Sequence, residues 1–400
     1  MSQQNNEGAL AATSELVPCT MRDVVLYFLR LGTLGFGGPI ALAGYMQKDL
    51  VEERRWVSKT DYVEGLALAQ LAPGPLAAQL AIYLGWVRGG VIGATLVGIA
   101  FVLPSFLMVL AISAAYLQFG GLPWMRGAFY GIGAAVIAIM ARSVFKLTKL
   151  SLAKSKLLWT LFAISALVTA WTESEIMWLF VASGVIAMLI KAPPKFRSAA
   201  TALSVVPLPL WAITGIAGPA TAASLWTLMW YFAEAGAFVF GSGLAIVPFL
   251  HGGVVNSFHW LNDQQFLDAV AVAMITPGPV VITVAFIGYL VAGPLGASSA
   301  ALGVFLPCYF FVILPAPYFR RFADNIRVKA FVDGVTAAAT GAIAGAAFVL
   351  ARRAIIDIPT VLIAATTWFV FSYFKKLPEP VVIVVAGIVG FVISQTTGAR

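Results

Sequence analysis

Cysteine and histidine are nearly missing from this chain, with two of each in 400 residues. Cys19 lies in a polar N-terminal stretch and Cys308 in an apolar run, so a disulfide framework is excluded and both read as ordinary small side chains. Two histidines do not make a metal cluster, and no metal or cofactor is expected. His251 and His259 read as solvated loop residues. Charge is also scarce: Asp, Glu, Lys and Arg make up 10% of the chain, against roughly 25% in an average soluble domain. There is no G-x-x-x-x-G-K-[ST] stretch, so ATP is not expected to drive this protein directly. Apolar residues fill the space instead. At 60% they exceed what a soluble fold of this length can hide, and a bilayer can accommodate them. Residues 1–24 are polar and lack a basic start followed by an apolar run, which reads as a cytoplasmic tail rather than a signal peptide.

Apolar segments fall at 26–46, 62–86, 90–118, 127–147, 157–171, 175–191, 201–217, 222–250, 265–291, 293–318, 331–350, 355–374 and 379–394. Most approach the ~20 residues that a helix needs to cross a bilayer. Four are broken in their middles, by Gly35-Phe36-Gly37-Gly38-Pro39, Ala72-Pro73-Gly74-Pro75, Gly241-Ser242-Gly243 and Thr276-Pro277-Gly278-Pro279.

The four breaks are two pairs, because the chain is a duplicate of itself. An offset of 204 lays Tyr27-Phe28 on Tyr231-Phe232, Trp56 on Trp260 and Pro73-Gly74-Pro75 on Pro277-Gly278-Pro279. An offset of 203 then lays Gly85 on Gly288, Gly93 on Gly296 and Leu103-Pro104 on Leu306-Pro307. The domains expected are a tail at 1–24, a first repeat at 25–200, a connecting transmembrane segment at 201–221 and a second repeat at 222–400.

The loop after the first break carries Lys48, Arg54, Arg55 and Lys59, whereas its counterpart 251–265 has no lysine or arginine. Lysine and arginine favour the cytoplasmic side, so the equivalent loops are expected on opposite faces and the repeats are inverted. If the broken segments are re-entrant hairpins, only Arg126, Arg352, Arg353 and Arg400 are left outside. This count favours nine full crossings with the N-terminus inside. The fold class expected is therefore an all-α polytopic membrane protein of two inverted repeats with Gly/Pro-broken segments.

Irregular backbone at membrane depth survives only where protein or a watery cavity surrounds it, so four matched breaks point to one shared interior site. Glycine exposes backbone N–H groups, and a helix starting after the turn adds its positive dipole end, which together make an anion site. The candidates are Gly37, Gly38, Gly74, Gly241, Ser242 and Gly278, with side chains of Thr33, Gln70, Gln79, Ser242, Thr276 and Thr283 as donors. Close helix packing is the competing reason for each glycine. Four ionisable residues lie in these segments and are expected to couple or clamp: Arg30 with its repeat equivalent Glu234, and the equivalents Glu64 and Asp268.

The run Phe36-Gly37-Gly38-Pro39, then Arg55-Trp56, then Leu71-Ala72-Pro73-Gly74-Pro75 and Leu80-Ala81-Ile82-Tyr83-Leu84-Gly85, resembles the chromate ion transporter family. So do Phe240-Gly241-Ser242-Gly243 and Thr276-Pro277-Gly278-Pro279-Val280 with Phe286-Ile287-Gly288-Tyr289. The resemblance covers about 25–375 and matches the long, two-domain members. It implies efflux of chromate, a small tetrahedral oxyanion, across a bacterial inner membrane, driven by the membrane potential or a proton gradient. Sulfate or another oxyanion remains an alternative cargo, an intramembrane enzyme is a remote one, and a homodimer stays open. Gln70 is matched by Met274 in the second half, so any site that uses it is asymmetric.

Overall fold

The computed structural model describes residues 16–36, 38–119, 123–152, 155–172, 177–192, 222–238, 246–319, 325–374, 377 and 379–397. All regular structure among them is helical. The first repeat contributes α1 (Met21–Leu34), α2 (Gly38–Met46, running on as a π-helical turn Gln47–Glu53) and α3 (Lys59–Leu71). It continues with α4 (Leu76–Phe119), α5 (Pro123–Ser151), α6 (Lys156–Thr172) and α7 (Met177–Lys191). The second repeat contributes α8 (Ala222–Phe238), α9 (Ile246–His251, then a π-helical turn Gly252–Ser257), α10 (Asp263–Ile275) and α11 (Thr283–Ile313). It ends with α12 (Ile326–Ala354), α13 (Ile358–Tyr373) and α14 (Glu379–Thr397). Each helix has its equivalent seven places on, π-turns included. The expected connecting segment 201–221 lies outside the described residues.

Helix α1 starts inside the stretch expected to be tail, because Thr20 and Asp23 form a reciprocal capping box that nucleates the helix at Met21.

The broken segments double back. After α1 the chain breaks at 35–37, and α2 with its π-turn returns it, so that Val17 N–H donates to Arg55 O at 2.9 Å. Tyr27 OH reaches Asp49 on the way, and the Arg54 guanidinium lies over the Tyr27 and Trp56 rings. The second hairpin rises through α3, breaks at 72–75 and descends through residues 76–88, where Arg88 donates to Cys19 O at 3.1 Å. Residues 17–21, 54–55 and 88 thus share one end of the molecule.

Helix α4 then reverses at Gly89-Gly90, with Gly90 at φ +57, and a Cβ on Gly85 would lie 2.5 Å from Gly93 O. Helix α11 reverses at the equivalent Ala292-Gly293, with Gly293 at φ +63 and Gly288 against Gly296. The second limbs, 91–119 and 294–313, cross the molecule. The α1 tip lies beside the middle of the first of these, where Ser105 faces Gly32 O at 3.4 Å.

Packing shows that the repeats are inverted. Thr95, early in its limb, hydrogen-bonds Tyr309, late in the equivalent limb, so the two limbs run antiparallel. Val102 and Phe305, equivalents at offset 203, each pack on both of the larger hydrophobic cores. Helix α5 runs parallel to α13, with Tyr130 on Asp357 near the start and Phe145 against Trp368 further along. The three-residue turn 355–357 separates α12 from α13 and returns the chain, which makes α12 antiparallel to its equivalent α5.

The outer helices are exchanged. Helix α5 packs on α13 and α14 of the second repeat, and α12 packs on α6 and α7 of the first. Glycines at these seams let backbones meet: Gly131 against Ala386, Gly334 against Ser183 and Gly341 against Phe162. Large apolar side chains such as Ile92, Leu167, Trp171, Leu295 and Phe348 cover the outside, as a lipid-facing surface requires.

Candidate functional site

The two Pro-Gly-Pro breaks are buried tips, each packed on a helix of the other repeat. Gly74 takes φ +139 and Gly278 φ +97, conformations open to glycine but strained for L side chains. The positions of their absent Cβ atoms identify the neighbours. At Gly74 these are the Gln79 amide and Cys308 Sγ, the latter at 3.1 Å. At Gly278 the neighbour is Ser105 Oγ. Ser105 and Cys308 are themselves repeat equivalents, so the interlock is symmetric in position and different in chemistry.

At the second tip, Gly278 N–H donates to Gly35 O at 2.9 Å and Ser105 OH donates to Pro277 O at 2.7 Å. Gly278 was expected to offer its N–H to an anion; that donor is already occupied. At the first tip, Pro73 O accepts instead from Gln79 Nε2, of its own repeat, at 2.6 Å. That short contact with a carbonyl fixes which end of the amide is nitrogen. Gln79 Oε1 is left with no partner although the residue is 0% exposed, a deficit worth about 1–3 kcal/mol. Gly74 N–H, also buried, has no hydrogen-bond partner among the described residues.

The expected donors divide. Gln79, Gly74, Thr276, Gly278 and Thr283 are gathered at the buried tips. Thr276 OH is committed to Val272 O and Ala273 O, and Thr283 OH to Val280 O, so these hydroxyls present lone pairs rather than protons. Thr33 and Gln70 are exposed, with Thr33 OH bonded to Leu29 O of its own helix. Gly38 opens α2. Gly37, Gly241 and Ser242 lie outside the described residues.

The charged candidates also separate. Arg30 is exposed, Glu234 is half-buried, and no ion pair joins them among the described residues, contrary to the expected clamp. The pseudo-two-fold brings α4 and α11 to the centre and leaves α1 and α8 on their far sides. Glu64 is half-buried and accepts from Tyr83 OH at 3.3 Å. Asp268 is 4% exposed and accepts from Tyr116 OH at 2.7 Å and Gln264 Nε2 at 2.9 Å. Tyr83 belongs to the same repeat as Glu64, whereas Tyr116 reaches Asp268 across the repeat boundary.

Three residues were not among the expected site residues: Ser105, Cys308 (read as an ordinary small side chain) and Tyr116. The first two carried a usable signal, since both follow the aligned Leu-Pro pairs at 103–104 and 306–307. His251 also differs from expectation. It is 3% exposed, with Nε2 2.8 Å from Asp263 Oδ1, an oxygen that Arg353 also contacts. Arg353 comes from the end of α12, so the last residue of α9 is enclosed by a helix that sequence order places far away.

Inverted halves whose helix-broken tips are each buried against a helix of the other half define a multi-pass membrane protein with the architecture of an inverted-repeat transporter. The chain belongs to the chromate transporter family, whose profile matches it twice, at residues 22–188 and 226–391. It is 60% identical over 375 residues, 93% of both chains, to the chromate transport protein of Cupriavidus metallidurans. It is 55% identical over 378 residues, 93% of this chain and 95% of the relative, to the probable chromate transport protein of Synechococcus elongatus. A chromate transport protein of Pseudomonas aeruginosa is 32% identical over the full length of both. No solved structure matches the chain.

Proposed function

We propose that this protein exports chromate from the bacterial cytoplasm across the inner membrane, by a secondary mechanism that confers chromate resistance. The observation that carries this reading is the first tip, where the left-handed Gly74 presents a backbone N–H that has no partner among the described residues. Backbone and amide groups can hold a desolvated tetrahedral anion without a salt bridge, so they can also release it. The names of the 60% and 55% identical relatives supply the cargo.

Orientation follows from charge. Lys48, Arg54, Arg55, Lys59 and Arg88 share the end of the molecule that is then cytoplasmic, with the N-terminus, while His251, Asp263 and Arg353 mark the outside. Export suits the driving force. One charge crossing 100 mV is worth about 2.3 kcal/mol, so a dianion leaving a negative interior gains roughly twice that. Asp268, enclosed between the repeats with Tyr116, is the group we assign to proton coupling, with Glu64 as its more open counterpart. The domain limits proposed are 25–200 and 222–400, joined by a crossing at 201–221.

The test is chromate flux into inside-out vesicles with and without an imposed potential. Uptake that rises with a positive interior supports the reading. Sulfate moving while chromate does not would change the cargo, and movement of neither would overturn transport of oxyanions.

A further inference from the structure

We propose that the two tips do different work, an inference that rests on the oxyanion-transport reading above. The first tip, 72–75, opens and receives the anion, and the second, 276–279, is a fixed wall. Both have the same Pro-Gly-Pro pattern with a positive-φ glycine at its centre, and they differ in what holds them.

The second tip is pinned across the repeat boundary twice, by Gly278 N–H on Gly35 O and by Ser105 OH on Pro277 O. Its supporting helix is covered as well, since α10 packs under α5 of the first repeat and under α14. Residues Phe266–Met274 are buried without interruption, and Tyr116 ties Asp268 to α4.

The first tip has none of these restraints among the described residues. Cys308 stands where Ser105 stands, and a thiol is a weak donor. Pro73 O is capped from within its own repeat by Gln79. Helix α3 makes no comparable packing on α12 or α7, the equivalents of the helices that cover α10. Val63 and Gln70 on α3 are exposed, and Glu64 is half-buried.

The unpartnered groups also sit at the first tip. Gly74 N–H, a donor that an anion can take, has no partner among the described residues, while Gly278 N–H is bonded; Gln79 Oε1 is also unshared but is an acceptor and offers an anion nothing. A pinned tip has its hydrogen bonds made, whereas an unpinned one holds them in reserve for a ligand. The anion therefore meets Gly74 N–H and the Cys308 side of α11, in a site drawn from both repeats but on one tip only.

Cysteine accessibility separates the tips directly. In a Cys19→Ala, Cys308→Ala background, Ala72→Cys and Thr276→Cys place thiols at equivalent positions. A water-soluble maleimide should label the first and spare the second. Equal labelling, or labelling of the second alone, overturns the proposal. This comparison needs no turnover, so it stands even if chromate flux is absent and the transport reading fails. Flux supplies the second arm. Cys308→Ser installs the missing hydroxyl and should cut chromate transport several-fold while the thermal midpoint holds or rises. Ser105→Cys should lower the midpoint and retain most of the flux. Wild-type flux from Cys308→Ser, or selective loss of flux from Ser105→Cys in a protein of unchanged midpoint, overturns it.

Discussion

Gly74 and Gly278 are equivalent residues, yet a methyl group added to each meets different resistance. At Gly278 it strikes Ser105 Oγ, which is bonded to Pro277 O; at Gly74 it meets Gln79 Nε2, which is bonded to Pro73 O, and Cys308 Sγ, but it approaches neither as closely. Both positions add backbone strain of order 1–3 kcal/mol for a non-glycine residue. Gly278→Ala should therefore lower the thermal midpoint in detergent more than Gly74→Ala, and equal losses would show that strain alone decides. Asp263 offers a second test. Partial burial raises its carboxyl, but hydrogen bonds from His251 and Arg353 and their positive charge outweigh that and hold it below the ordinary carboxylate range. A depressed folded-state value contributes stability at neutral pH, and this is lost as pH falls through that value. Arg353→Met should thus lower the midpoint at pH 7 and make little difference in strong acid. A gap that persists unchanged through the acid range would deny the carboxylate this role.

At the scale of elements, the helical hairpins depend on glycines that touch across the reversal. A side chain at Gly296 would enter the Gly288 backbone, and overpacking of this kind costs about 1–3 kcal/mol or more. Gly296→Leu should reduce the monodisperse fraction on size exclusion, whereas substitution at Gly293, which has open space, should act through its φ of +63 alone. Much of this layer was legible in the sequence. Gly/Pro breaks, the repeat offset and the charge of matched loops gave the hairpins and their inversion, because helix breaking and insertion are governed by local composition. The pairing of helices was not legible. Nothing local in α5 says that its partners are α13 and α14, since small residues mark a seam without naming what lies across it. For the same reason the sequence left open whether Arg30 and Glu234 pair, and Tyr116 and Ser105, which act across the repeat boundary, were missed.

At the scale of the whole molecule, the exchange of outer helices makes each repeat incomplete. Helix α5 finds its main partners in the second half and α12 in the first, so a half expressed alone would expose seams that no lipid tail fills as well. Residues 1–221 or 222–400 produced separately should fail to accumulate as monodisperse protein, and co-expression should recover a complex that co-purifies. Stable, monodisperse single halves would contradict the exchanged packing. One further consequence comes from Val102 and Phe305, the equivalent pair that packs on both larger cores. If the ancestor of this chain was a dimer of identical halves, each such position faced a copy of itself, and any substitution there was made twice at once. Fusion into one chain frees each member of the pair to change alone, so a small residue can come to face a large one. The same freedom lets Ser105 drift from Cys308 and Arg54 from Phe258, and a machine descended from two equal parts acquires a front and a back.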